Sequence, residues 1–267
     1  MNIIVCIKQI LDPEIPPAKF KIDTGANKVV YPEGIPLVVS PFDEQAVEAA
    51  LRIKESGSEV KITALTVGGA TAKDAIKHVL SMGVDEGVIV SDDSFEGSDA
   101  FGTAYILSRA IEKLGDYDLI LCGRQAADWD AGQVGPVLAE YLGIPAATVA
   151  REVSAVDGKI TIKQVLQDGY RVLHMNMPAL VTVSSELGQA RLPSGRGIVM
   201  AARKQVPVWN AQDLGCDPAR IGDGAARTEL LELFVPSQDR KGEIIAGKDA
   251  AEAAGNLATL LRSEGAI

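Results

Sequence analysis

The chain has 267 residues, a length that suits one α/β domain with an extension. Two full domains would be cramped in a chain of this length. With 47% hydrophobic and 23% charged residues, the composition excludes disorder and coiled coil as dominant states. The formal net charge is −10 and the 26 basic residues are not segregated, which argues against nucleic acid as a partner because a phosphate backbone requires a basic face.

The first apolar run, residues 3–7, predicts a buried strand. It is too short for the hydrophobic region of a signal peptide, and no apolar stretch reaches the roughly 18 to 20 residues that cross a bilayer. Cys6, Cys122 and Cys216 are odd in number and widely spaced, which favours reduced core residues over a disulfide or metal framework. We therefore expect a soluble, cytoplasmic protein without membrane insertion.

Up to about residue 148, short apolar runs alternate with helical patterns at the spacing of βαβ units. Apolar strands between helices predict an α/β fold with a doubly wound, mostly parallel sheet of the Rossmann-like type, covered on both faces. The predicted strands are residues 3–7, 60–67, 86–90 and 118–122, and the predicted helices are residues 42–55, 71–82, 100–114 and 133–142.

After Pro145 the pattern changes to alternating apolar and polar residues around the turn sequences Asp157-Gly158 and Asp168-Gly169, which predicts an antiparallel addition. Its strands are residues 149–156, 159–165 and 170–176, and a further strand covers residues 179–183. Residues 184–247 are rich in Gly, Pro, Arg and Asp with little periodicity, which is typical of an extended arm that is functional, disordered or folded against something else. The final helix, residues 250–262, has one apolar face that suits either a partner subunit or the chain's own sheet.

Catalytic and metal-binding patterns are scarce. His78 lies within a helical pattern and His174 on an alternating strand, so we interpret both as structural or surface residues. The sequence lacks the spacing of a serine hydrolase or a metal site, and we predict no metal. Residues 242–249 have the spacing of a phosphate-binding P-loop, but Asp249 stands where a hydroxyl should hold magnesium, which disfavours a nucleotide hydrolase.

Residues 118–136 run from a buried strand through a polar loop into a helix, which places backbone N–H groups and a helix N-terminus at the carboxyl edge of the sheet. An anion is expected at such a place. Arg124 can pair with a phosphate, Gln125 and Gln133 can hydrogen-bond a sugar or base, and Asp128 can accept from a ribose hydroxyl.

A second loop on the same predicted edge, residues 66–71, contains two glycines that allow close approach of a ligand. Each loop alone is compatible with an ordinary turn between a strand and a helix. Two such loops on one edge favour a bound nucleotide.

Several local sequences resemble, in the right order, the β (small) subunit of electron-transfer flavoproteins, and the resemblance covers essentially the whole chain. The most specific segments are residues 5–9 (VCIKQ), 40–48 (SPFDEQAVE), 80–85 (LSMGVD) and 122–126 (CGRQA). Residues 168–183 look like the signature region of that family, and residues 200–204 look like the arm that follows it.

The resemblance implies a heterodimer with a larger α subunit that carries FAD. Such a pair accepts electrons from acyl-CoA dehydrogenase-type donors and passes them to a quinone reductase or similar acceptor. The chain would then be a redox carrier subunit with no catalytic side chain of its own. Residues 1–185 would form the nucleotide-binding domain, and residues 186–267 would form an arm and helix packing on the α subunit.

The family also implies site residues in this sequence. Phe42 would approach the flavin of the α subunit, and Pro13 stands where many relatives have an aromatic residue facing that flavin. Residues of the arm would dock the electron donor. The implied docking residues are Leu192, Gly195 and Arg196. The implied contacts to an adenine nucleotide are Cys6, Ser40, Val67, Gly68, Gly123, Arg124, Gln125, Ala126, Asp128, Trp129, Asp130, Gln133 and Val134.

Members of the family divide into simple carriers with AMP in the small subunit and electron-bifurcating members with a second FAD that oxidises NADH. Residues 123–126, 133–136 and 242–244 resemble the bifurcating members, whereas residues 40–42 resemble the simple carriers. Trp129 would bring indole bulk into space that a second flavin requires, so the sequence favours AMP. A stand-alone adenine-nucleotide-binding regulatory protein is the remaining alternative, and the long arm argues against it.

Overall fold

A computed structural model describes residues 1–57, 59–156, 158–236 and 242–267. Its strands are β1 (Asn2–Cys6), β2 (Gln9–Leu11), β3 (Lys21–Asp23), β4 (Lys28–Val30), β5 (Leu37–Val39), β6 (Lys61–Val67), β7 (Glu86–Val90), β8 (Leu119–Gly123), β9 (Ala146–Val156), β10 (Lys159–Leu166), β11 (Gly169–Asn176), β12 (Ala179–Val183) and β13 (Val208–Trp209). Its α-helices are α1 (Pro41–Glu55), α2 (Ala72–Met82), α3 (Ala100–Leu114), α4 (Val134–Leu142), α5 (Gly195–Arg203), α6 (Ala211–Leu214) and α7 (Ala250–Ser263).

Nine of these strands form one sheet in the order β11-β10-β9-β12-β8-β1-β6-β7-β13. All pairs from β9 to β13 across that order are parallel, and only the β9-β10-β11 meander is antiparallel. This arrangement confirms the predicted doubly wound sheet with an antiparallel addition. From β1 the chain proceeds through β6 and β7 on one side and then returns to place β8 on the other side of β1.

The sheet is covered on both faces, because its central strands carry apolar residues in both directions. On one face, Ile62 and Leu121 pack with residues of α1 and α2. On the other face, Leu65 and Ile120 pack with residues of α3 and α4. The two apolar layers fix the sheet and leave the carboxyl ends of its strands as the edge where the connecting loops meet.

The predicted helices and strands up to residue 183 agree with the structure to within a few residues at each end. The largest difference is β9, which begins at Ala146, because Ala146 and Ala147 pair with β12 before the alternating pattern starts. Of the first predicted hairpin turn, Asp157 lies outside the described residues; Gly169 of the second turn opens β11. Two small antiparallel pairs, β2-β5 and β3-β4, occupy the segment before α1, for which the sequence made no prediction.

The predicted aperiodic arm contains regular structure that the sequence pattern missed. Helix α5 lies against α2, where a side chain at Gly197 would overlap the carbonyl oxygen of Ser81. The Lys77 ammonium donates to the carbonyl oxygens of Ala201, at 2.6 Å, and Ala202, at 3.2 Å, and so holds the end of α5 on α2. Strand β13 then pairs in parallel with β7 at the sheet edge.

Helix α7 buries none of its residues, so its apolar face is not covered by the sheet. The division of the chain at residue 185 stays a prediction, as does packing of the arm on a second subunit. Within the part of the chain that the structure describes, no helix is long and apolar enough to span a membrane. The cytoplasmic location also stays a prediction.

Candidate functional site

The order of the strands reverses between β1 and β8, which lie side by side in parallel register. In open α/β sheets, ligands bind in the crevice outside the carboxyl ends of the strands at such a reversal. The crevice here is bounded by Cys6 at the end of β1 and Gly123 at the end of β8. This places both loops singled out by the sequence on the same edge, because β6 is the next strand beyond β1.

Asp43, in the first turn of α1, joins the two strands across the crevice. One of its carboxylate oxygens accepts the N–H of Lys8 at 2.8 Å, and the other accepts the N–H of Gly123 at 3.0 Å. The residue is only 6% exposed. Burial raises the pKa of Asp43 to about 7, although the two backbone N–H groups act in the opposite direction.

Gly123 is required where α1 crosses the end of β8. A Cβ there would lie 2.5 Å from a carboxylate oxygen of Asp43 and 2.8 Å from Phe42. Only glycine lets the first turn of α1 come this close to the strand. The contact fixes where the chain leaves β8 and therefore where the next residue, Arg124, begins.

Arg124 is anchored at both its backbone and its side chain. Its N–H donates to the carbonyl oxygen of Val183 at 2.8 Å, and its guanidinium lies 4.9 Å from the centre of the Phe42 ring. The Nε atom is buried and has no hydrogen-bond partner among the described residues. Since a buried donor without a partner costs free energy, this nitrogen is suited to an anionic ligand.

Three bonds hold the loop that follows Arg124. Lys8 forms an ion pair with Asp128, with Nζ 2.6 Å from the carboxylate oxygen. The buried hydroxyl of Ser40 accepts the N–H of Ala127 at a long 3.4 Å. The side-chain amide of Gln125 donates to a carboxylate oxygen of Asp130 at 2.6 Å, so its N–H is bonded within the loop.

Asp130 adopts a φ of 51°, in the left-handed region that aspartate tolerates better than most residues. Its N–H donates to the carbonyl oxygen of Ala126 at 3.0 Å. This turn redirects the chain towards Gln133, the residue before α4, and Val134, the first residue of the helix. The loop therefore delivers the α4 N-terminus to the edge of the sheet.

The helices that begin around the crevice differ from the others at their N-termini. Within the described part of the chain, no side chain caps the start of α1, α2 or α4. In contrast, α3 is capped by Asp99, and α5, α6 and α7 are capped by Ser194, Asn210 and Asp249. Uncapped N–H groups and the positive helix ends favour an anion at this edge.

The second loop continues from β6. Val67 ends that strand half-buried, and the N–H of Gly68 donates to the carbonyl oxygen of Val90 at 3.0 Å. One residue earlier, the fully buried hydroxyl of Thr66 has no hydrogen-bond partner in the described part of the chain. A second polar atom at this edge is thus also left for a ligand or water.

The thiols of Cys6 and Cys122 lie on paired positions of β1 and β8 and are buried. Contact with the Cys6 thiol, together with burial, raises the pKa of Cys122 well above its usual value. Cys122 therefore stays a neutral thiol beneath the crevice. The described residues contain no group of His, Cys, Asp and Glu side chains that suits a metal ion.

Two of the predicted residues lie at the surface. Trp129 is 54% exposed, so its indole does not fill the crevice. Pro13 lies in an exposed turn after β2, and none of the hydrogen bonds described above involves it. That Pro13 and Phe42 lie near a flavin stays a prediction.

The predicted docking residues lie at and before the start of α5. Leu192 is 88% exposed, Gly195 opens the helix and Arg196 is exposed beside it. Arg191 fixes this segment to α1, because its Nε donates to the buried carboxylate of Glu48 at 2.7 Å. These contacts lower the pKa of Glu48, against the effect of its burial.

The sequence interpretation included Arg124 and both loops, but it gave no role to Asp43 or to the hydroxyl of Thr66, the first residue of the second loop. An acidic residue in the first turn of a helix is common, and nothing in the local pattern shows that Asp43 is buried. A signal existed in Gly123, since a glycine at the end of a buried strand indicates close approach of another segment.

Comparison with known proteins connects this geometry to one family. The electron transfer flavoprotein domain matches residues 28–214. The chain is 38% identical over 260 residues to the electron transfer flavoprotein subunit beta of Megasphaera elsdenii, covering 95% of this chain and 94% of that one. It is 38% identical over 268 residues to the protein of the same description from Thermoanaerobacterium thermosaccharolyticum, over the full length of both. It is also 34% identical over 264 residues, 99% of each chain, to the caffeyl-CoA reductase-Etf complex subunit CarD of Acetobacterium woodii.

Proposed function

The chain belongs to the electron transfer flavoprotein family, and from that premise we propose that it is the small subunit of a heterodimeric electron carrier and holds an adenine nucleotide at the β1-β8 crevice. Its larger partner subunit would hold the FAD that carries the electrons. The pair would accept electrons from an acyl-CoA dehydrogenase-type donor and pass them to a quinone reductase or similar acceptor.

The observation that carries the nucleotide proposal is the buried Nε of Arg124, which has no hydrogen-bond partner among the residues that the structure describes. Arg124 follows directly after β8 at the strand reversal, where phosphate groups bind in folds of this type, and the loop that it opens leads to the start of α4. A nucleotide phosphate would satisfy both the guanidinium and the free N–H groups. Gln133 and Val134, at the helix start, would then contact the phosphate side, and Ser40 and Val67 would contact the nucleoside.

The role of this chain in electron transfer is to bind and orient. Among the described residues the thiols of Cys6 and Cys122 are buried, and we expect this chain to contribute no catalytic side chain. The FAD of the larger subunit would supply the redox chemistry. This chain would enclose that flavin, retain its own nucleotide and present the exposed segment of Leu192, Gly195 and Arg196 to the electron donor.

AMP is the nucleotide that the sequence favours, on the argument that Trp129 occupies space required by a second flavin. A second FAD is the other candidate, and one observation supports it: Trp129 is more than half exposed, so its indole is not buried in the crevice. One relative is described as a subunit of a caffeyl-CoA reductase-Etf complex, so a reductase is a further candidate for the partner.

The test is to co-express the chain with its larger subunit and to purify the complex. A flavin absorption spectrum that is bleached by an acyl-CoA substrate in the presence of a catalytic amount of an acyl-CoA dehydrogenase supports the carrier. Rapid bleaching by NADH alone instead identifies the form with a second FAD. A chain that purifies without a partner, as a compact monomer with its arm protected from hydrogen exchange, contradicts the proposal.

A further inference from the structure

Asp43 is a buried carboxyl group that is held by the backbone and not by an ion pair with any described side chain. Its two hydrogen bonds come from backbone N–H groups, those of Lys8 and Gly123. The nearest ammonium, that of Lys8, is instead 2.6 Å from Asp128. Among the described residues, no basic side chain forms an ion pair with Asp43.

Each of the segments that pack against Asp43 carries a charged or titratable group. Lys8 follows β1, Cys122 lies on β8, and Asp128 lies in the loop after β8. The Lys8 charge lowers the pKa of Asp43 and the Asp128 charge raises it, while burial is the largest cause of its rise to about 7. The guanidinium of Arg124 stacks on the ring of Phe42, and Phe42 is the residue before Asp43.

An incoming phosphate changes this balance in one direction. Bound at Arg124, whose guanidinium lies 4.9 Å from the ring centre of Phe42, it would bring negative charge close to the residue that precedes Asp43 in the chain. A like charge in a partly desolvated site disfavours the ionised form of a carboxyl group. The carboxyl group therefore binds a proton more tightly when the nucleotide is present.

We propose that Asp43 couples binding of the nucleotide phosphate at the β1-β8 crevice to uptake of one proton. The inference rests on the nucleotide site proposed above. The proton comes from solvent and adds to a carboxylate oxygen of Asp43, and no electrons move. Asp43 is thus a positioning residue, since it holds the Gly123 N–H that starts the phosphate loop, and its ionisation opposes the ligand.

The number of protons taken up can be measured by titration calorimetry in buffers of different ionisation enthalpy. The sample is the complex of the full chain with its larger subunit, freed of the small-subunit nucleotide, and the probes are FAD and AMP. At pH 8 we expect net uptake of up to one proton per nucleotide in the wild type and none attributable to the protein in Asp43→Asn. Above about pH 7, wild-type affinity should weaken as the pH rises, by at most about tenfold per pH unit, and that of the variant should not.

Asp168→Asn is the matched control, because it removes the same charge from the exposed turn before β11 and should keep the wild-type uptake. The phosphate of AMP itself titrates, so the difference between wild type and variant is compared for each probe. If Asp43→Asn does not fold, protonation can be followed in the wild type alone by infrared spectroscopy. The carbonyl band of a protonated carboxyl group should then grow when FAD binds at pH 8.

Absence of proton uptake in the wild type at pH 8, or equal uptake in Asp43→Asn, overturns the inference and leaves the nucleotide site standing. Failure of both FAD and AMP to bind at any pH is a different result. It refutes the proposed site and the inference with it.

Discussion

Replacing Arg124 by alanine tests the phosphate contact at the centre of the proposed site. The substitution removes the buried Nε, which has no partner in the described part of the chain, and the guanidinium that lies 4.9 Å from the Phe42 ring centre. The backbone N–H of residue 124 still donates to Val183, so the start of the loop should keep its path. The variant therefore changes the ligand contact more than the fold.

The expected effect differs between the nucleotide-free and nucleotide-bound protein. A charge-assisted hydrogen bond is worth about 1.5 to 3 kcal/mol, so affinity for the nucleotide should fall by about 10- to 150-fold. Without nucleotide, the lost stacking on Phe42 costs about 0.5 to 1 kcal/mol, and removal of an unpartnered buried donor offsets it. The melting temperature of the nucleotide-free protein should therefore change little.

Calorimetric titration and thermal melts with and without nucleotide measure both quantities. Arg203→Ala is the matched control, because Arg203 is an exposed residue at the end of α5, and it should keep wild-type affinity. Arg124→Lys should give an intermediate affinity, since lysine keeps the charge but loses the planar fork. Wild-type affinity in Arg124→Ala would refute the reasoning and make Arg124 an ordinary loop residue.

Three further predictions concern stability. The pKa of Asp43 is about 7 in the folded protein and has its ordinary value in the unfolded chain. The protonated carboxyl group therefore contributes fully to the free energy of unfolding below about pH 4, and this contribution, about 4 kcal/mol in all, is lost as the pH rises through 7. Urea melts should show this loss in the wild type and not in Asp43→Asn. Gly123→Ala should cost about 1 to 3 kcal/mol by overpacking against α1, whereas Gly69→Ala, which meets open space, should cost little. Gly197→Ala should loosen α5 from α2 and speed its proteolysis, while Gly195→Ala in the same helix should not.

The sequence predicted the elements of the central sheet because their patterns are local. Helices α1 to α4 carry apolar residues at helical spacing, and their predicted bounds differ from the observed ones by at most one residue. Strands β6, β7 and β8 are apolar runs between those helices. Each of these signals is contained within its own segment, and the order of the segments then implies a doubly wound sheet.

The elements that the sequence missed depend on distant contacts. Helix α5 contains Gly195 and Gly197, which lower helix propensity, and Gly197 is explained only by the closeness of α2. Strand β13 has only two residues, and it is a strand because it pairs in parallel with β7. A pattern within residues 195–209 cannot show either neighbour.

The candidate site divides in the same way. Arg124 could be found because a basic residue in a loop between a buried strand and a helix is a local signal for an anion. Asp43 could not, because its burial follows from α1 crossing the ends of β1 and β8, two strands that are far apart in the chain. The position of β8 beside β1, which makes the crevice, follows from the strand order.

The most direct test of the central claim is to denature the purified heterodimer and to quantify every nucleotide that is released. The account predicts one FAD from the larger subunit and one further adenine nucleotide, either AMP or a second FAD, per heterodimer. The same measurement on Arg124→Ala should show the second nucleotide reduced and the first FAD retained. Release of a single FAD and no other adenine nucleotide from the wild-type complex would contradict the account.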